Sequence, residues 1–226
     1  MRDHISLETI FGVQEQVLER VRREHSPRYE FAQESIELVI NLKVLKEKLS
    51  GETKSRFDVI QRYQSDALSA LINSLKLCLY GCISDSMMLL RVAVEDLAVM
   101  SYIVNTQSYK TTSYGPKRFK FEAVVKKVPE GDVVEELHGR LSDAACHTTK
   151  VRLKNSLFKL NEEWFPRVGV AYDSEGSRRM LGEIDRAALY LLRLLRKFFS
   201  QHAELAPKEF LDKVNEMDHK IETLKI

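Results

Sequence analysis

The sequence predicts an all-α fold, a single helical bundle of seven or eight helices with at most one small β-hairpin between about 155 and 173. Three observations lead there. Apolar residues recur at three-and-four spacing along most of the chain, and the nine glycines and five prolines fall mainly between those periodic runs. The composition, 44% apolar and 30% charged, is that of a chain able to bury a core of its own.

The elements follow in order. Leu7, Ile10, Phe11, Val17, Leu18 and Val21 mark a first amphipathic helix over 6–24, with Ser6 as its cap and Pro27 beyond its end. A second is expected over 28–50, with Ala32, Ile36, Val39, Ile40 and Leu45 inward and Gly51 as its stop. The third, 53–80, lines up Phe57, Ile60, Ala67, Leu68, Leu71, Ile72, Leu75, Cys78 and Leu79 and ends near Gly81. The segment 84–104 is apolar almost all round, so it should be enclosed on every side at the centre of the fold. Arg91, Glu95 and Asp96 in its middle argue against a membrane span, because each charge there would cost roughly 2.5–3.5 kcal/mol on insertion.

Residues 105–117 read as an exposed loop, followed by a short helix over 118–128. Asp132 can cap a helix over 132–148 with Val133, Val134, Leu137, Leu141, Ala144 and Ala145 inward. Ser177 opens a long helix to about 204, with Met180, Leu181, Ile184, Ala188, Leu191, Leu195 and Phe198 buried. The last helix, 207–226, repeats Phe210, Val214, Met217, Ile221 and Leu224 as a seam that either packs on the core (about 28–205) or serves in dimerisation. One domain, 1–226, is the expected organisation.

Thirty-five basic and 33 acidic residues leave a net charge of +2, so any pull toward nucleic acid or membrane must be local. The opening residues lack the apolar stretch of a secretory signal, and three cysteines suggest no disulfide framework, so a cytoplasmic location is expected. Cys78, Cys82, Cys146, His138 and His147 could be assembled into a metal site, but cysteines at i, i+4 in an apolar stripe read as core, so no metal or cofactor is expected.

The chemistry-bearing row is Arg140, Asp143 and His147, which at i, i+3 and i+7 project from nearly one line of a helix. A guanidinium can hold two phosphate oxygens, an imidazole can move a proton near neutral pH, and a carboxylate can orient either. A solvated salt-bridged face is the other reading of the same row. Arg91 and Glu95, i, i+4 on the central helix, should be largely buried, where they either fix helix register or meet the 140–147 row in one pocket. Lys117, Arg118 and Lys120, interleaved with aromatics, and Lys150, Arg152 and Lys154 are the expected RNA contacts, since cations follow a phosphate backbone and aromatics stack on bases.

With Arg140 and His147 separated by six residues, the chain resembles the HEPN superfamily, whose ribonuclease members carry an arginine followed after about four to six residues by a histidine. It also resembles uncharacterised helical proteins near that group through R-x3-E (Arg91, Glu95) and L-S-x4-H (Leu141, Ser142, His147). The resemblance spans roughly residues 65–200. It implies a homodimeric, metal-independent RNA endonuclease or RNA-binding protein, such as a toxin or antiphage effector, with His147 as general acid or base and Arg140 stabilising phosphorane charge. Catalytic members carry a polar residue after the arginine where this chain has Leu141, so the resemblance bears on fold more than on activity. The alternative is a non-enzymatic helical module that binds a protein through 207–226 or a small anion between Arg91 and Arg140.

Overall fold

The computed structural model describes residues 7–44, 48–106, 121–145, 157–160, 163–166, 172–202, 205 and 208–224, with the backbone alone at 7–11, 143–145 and the two short strands. Among these residues the chain is an all-α bundle of eight helices: α1 (Leu7–Glu24), α2 (Ser26–Ile40), α3 (Gly51–Leu79), α4 (Ile83–Thr106), α5 (Phe121–Val125), α6 (Gly131–Ala145), α7 (Ser174–Ser200) and α8 (Lys208–Thr223). The hairpin expected between about 155 and 173 falls in a segment that lies largely outside the described residues. Of it, the backbones of Leu157–Leu160 and Glu163–Pro166 pair antiparallel. No helix among the described residues is long and apolar enough to cross a membrane.

α4 packs against α3, α5, α6 and α7 and so stands at the centre. Its inner side buries Leu90, Val94, Leu97, Ala98, Met100 and Ile103. It is not enclosed all round, however. Met88 and Val92, one turn apart, are each 47% exposed, because the covering helices leave one side of α4 open. α3 reaches α4 through a tight reversal: the Cys82 N–H bonds to the Leu77 carbonyl and the Gly81 N–H to that of Cys78. Gly81 takes the left-handed φ of 76° that this two-bond helix stop requires.

α2 ends ten residues earlier than expected. The Asn41 side chain and its backbone N–H both bond to the Glu37 carbonyl, each at 2.9 Å, and these bonds close the last turn. Ile40 is consequently exposed rather than inward, Leu45 lies outside the described residues, and Gly51, at φ 52°, opens α3 instead of stopping α2. α6 starts at Gly131 rather than behind an Asp132 cap. A Cβ at 131 would lie 2.1 Å from the Val125 carbonyl oxygen, so only glycine permits this approach of α6 to α5. Val133 is exposed, while Val134, Leu137 and Leu141 are buried.

α7 opens one turn before Ser177, with Asp173 as N-cap accepting from the Gly176 N–H at 3.0 Å. All seven of its predicted inward residues are buried. The apolar seam of α8 turns toward α7 and α2: Phe210, Val214 and Met217 are buried, and Asp218 pairs with Arg193 and Arg196 of α7 at 2.6 and 2.5 Å. Ile221 and Leu224, the last two residues of that seam, are half-buried.

Candidate functional site

Two helices bring the polar cluster together. α4 carries Arg91 and Glu95 one turn apart, with Arg91 Nε donating to Glu95 Oε1 at 3.1 Å. Lys127, just before α6, lies over the Tyr102 ring near the end of α4, whereas His138 reaches Arg91 and Glu95 in its middle, so α6 runs back along α4. On α6 the buried Val134, Leu137 and Leu141 define the side that faces the core, and His138 sits on the flank of that stripe. His138 Nε2 lies 2.9 Å from Glu95 Oε1 and 3.1 Å from Arg91 Nε.

These three contacts cannot all be hydrogen bonds in one protonation state. With a proton on Nε2 the imidazole donates to Glu95. Without it, Nε2 accepts from the Arg91 N–H. The Nε2 proton therefore selects which helical partner the ring holds. Glu95 stays a carboxylate: its pKa is lowered by the His138 hydrogen bond first and by the Arg91 charge, against the opposing effect of burial. Phe121, the first residue of α5, stacks on the His138 ring with centroids 4.0 Å apart and planes 24° from parallel, which fixes the ring's orientation.

The cluster is half-buried rather than sealed. The side chains of Arg91, Glu95 and His138 are 32%, 40% and 17% exposed, which corrects the expectation that the first two are largely buried. Beside them on α4 lie the exposed Met88 and Val92, giving the open face a polar centre with an apolar margin.

Arg140 does not join this cluster. On the helical wheel it stands about 160° from His138. Its guanidinium pairs with Glu136 one turn back, at 2.6 Å, and with Glu183 of α7, at 3.2 Å. Its side chain is 47% exposed, so the surface salt-bridge reading applies to it. Asp143 lies in α6, where only the backbone is described, and His147 is outside the described residues, as are Lys117, Arg118, Lys120, Lys150, Arg152 and Lys154.

His138, which the sequence offers otherwise only among the residues of a metal set, carries one signal of its place. It falls four residues after Val134 and three before Leu141, both core positions, so it had to face a neighbouring helix. As for metals, no group of three or more His, Cys, Asp or Glu side chains could hold an ion among the described residues. Cys78 is fully buried and burial pushes its thiol up to about 12, far from the thiolate a metal would need.

The fold and site together define a helical bundle with a half-buried Arg–Glu–His cluster between its central helix and a flanking one. No family model, curated protein or solved structure matches the chain.

Proposed function

We propose that this chain binds and cleaves RNA without a metal, the activity implied by its resemblance to HEPN proteins, but with the Arg91–Glu95–His138 cluster in place of the Arg140 and His147 pair that the resemblance implies as the working site. The observation that carries this reading is the contact of one imidazole nitrogen with both a carboxylate and a guanidinium on a half-exposed surface. Glu95 holds the His138 ring in place, so His138 can take a proton from a ribose 2′-hydroxyl and return it to the leaving oxygen. Arg91 supplies positive charge where the phosphorane would form.

Sequence continuity supports the same reading. Lys117, Arg118 and Lys120 immediately precede Phe121, the residue stacked on His138, and Lys150, Arg152 and Lys154 follow α6 within a few residues. Cations in these stretches would hold the RNA backbone close to the cluster. Arg140, which pairs with Glu136 and Glu183 away from His138, is a weaker candidate for phosphate stabilisation there than Arg91. A homodimer, a cytoplasmic location and a toxin or antiphage role belong to this proposal as well.

The test is cleavage of single-stranded RNA by the purified full chain in excess chelator. The expected result is cleavage by wild type, with the rate reduced about 10²–10⁴-fold in His138→Ala and Arg91→Ala. Unchanged cleavage in His138→Ala together with loss in His147→Ala would return the chemistry to the R-x6-H motif, and no cleavage by wild type would end the enzyme reading. The non-enzymatic module is then favoured by a specific feature, the paired exposure of Met88 and Val92 on α4.

A further inference from the structure

On the other side of the bundle, α1, α2 and α3 enclose a cleft of about 290 Å³. None of its lining residues belongs to α4 or α6, so it is separate from the cluster described above. Its walls are apolar: Leu18 of α1 faces Ile72 and Leu79 of α3 across it. Ile72, on the inward stripe that the α3 pattern predicts, is nonetheless 40% exposed, because the cleft leaves it no partner to pack against.

All the formal charge in the cleft has one sign. Arg22 and Lys76 line it and no acidic residue does. Several other surface arginines are matched, Arg20 by Glu24, Arg178 by Glu175 and Arg193 by Asp218. Among the described residues no carboxylate pairs with Arg22 or Lys76. The Arg22 guanidinium lies over the Tyr29 ring, 5.1 Å from its centroid, and this stacking occupies the face of the group while leaving the N–H edge able to donate. An N–H edge is the part of arginine that receives a carboxylate in bidentate fashion.

We infer that this cleft is a binding site for a small amphipathic carboxylate, its apolar tail lying along Leu18, Ile72 and Leu79 and its head held between Arg22 and Lys76. The volume lies at the lower edge of the roughly 300–1,000 Å³ usual for small-molecule sites, which selects a single short chain or ring system over a nucleotide-sized ligand. Binding would cover the exposed Ile72 side chain and neutralise two like charges on adjacent helices, so the tail and head contributions act together.

The test uses the fluorescent sulfonate 8-anilinonaphthalene-1-sulfonate on the full chain, with monomeric decanoate and decylammonium as competitors. Decanoate should displace the dye at a concentration at least about tenfold below that of decylammonium, the cation of matched tail. Arg22→Gln combined with Lys76→Gln should weaken decanoate by about tenfold or more without moving the thermal midpoint, since both side chains lie at the surface. Ile72→Trp, which fills the cleft and leaves the charges in place, should abolish displaceable dye binding. Equal competition by the two amphiphiles, or wild-type decanoate affinity in the double glutamine variant, overturns the assignment. So does co-sedimentation with anionic phosphatidylglycerol vesicles when free decanoate leaves the dye untouched, which would assign the cleft to a membrane surface.

Discussion

Asp185→Asn should become steadily more stable relative to wild type as pH rises from about 4 to about 9, by on the order of 3–5 kcal/mol across the range. Asp185 of α7 is fully buried, its Oδ1 meets no hydrogen-bond partner among the described residues, and its Oδ2 lies 3.4 Å from Arg28 Nη1. That distance is long for a charge-assisted bond, so the arginine compensates only in part for the lost water. Burial prevails over the Arg28 charge and pushes the carboxyl from 3.8 up to about 8. Between those values the folded chain keeps a proton that the unfolded chain has released. The stability linked to Asp185 is therefore complete below about 4 and is lost as pH rises through about 8.

Asparagine keeps the shape and can still accept from Arg28, but it does not ionise. Subtracting the two proteins' urea-unfolding free energies at each pH isolates this one group. Other carboxylates act with the opposite sign: Glu24, held down to about 2 by Arg20 and Tyr172, and Glu95 and Glu175, both lowered, lend stability that is lost as pH falls. A difference curve flat in pH would show that Asp185 is ionised in the fold.

Phe198→Ala should lower stability by about 3–5 kcal/mol. Phe198 is fully buried, stacked on Phe57 with centroids 5.7 Å apart and edge-on to Phe199 at 5.3 Å, so its removal opens a cavity where α3 and α7 meet. It also covers Arg56, a 5%-exposed guanidinium lying 5.5 Å over the ring. Arg56 Nη2 is held by the Val104 carbonyl at 3.0 Å and by the Gln201 amide oxygen at 3.1 Å, while its Nε has no hydrogen-bond partner among the described residues. Burial lowers the Arg56 pKa, and loss of the ring would remove its apolar contact without supplying a new acceptor. Equilibrium denaturation measures the effect. A loss under about 1 kcal/mol would mean that the helices close over the gap.

The helices are legible in the sequence because burial imposes a period: every predicted inward residue of α7 is buried, and so are Phe210, Val214 and Met217 of α8. The structure departs from the sequence expectation where a residue's angle on the helix outweighs its type. Val133, apolar and so expected inward, lies on the same side of α6 as the exposed Glu136. Of the two expectations for Arg91 and Glu95, a meeting with the row from Arg140 is not what the helix angles allow: the core stripe of Val134, Leu137 and Leu141 directs His138 there instead. The stop at Asn41 depends on a side chain bonding to its own helix, a local choice that apolar spacing does not encode. The buried Asp185 was invisible for another reason: its partner Arg28 is 157 residues away and no local pattern links the two.

RNA cleavage at the Arg91–Glu95–His138 cluster requires His138 to lie where RNA lands. The most direct test follows the imidazole proton resonances of the full chain while a ribodinucleotide is added in the presence of chelator. The His138 signals should shift and saturate, Glu95→Gln should alter the response, and those of His25 and His219 should stay in place. Saturable binding of the dinucleotide with the His138 signals unmoved would contradict it.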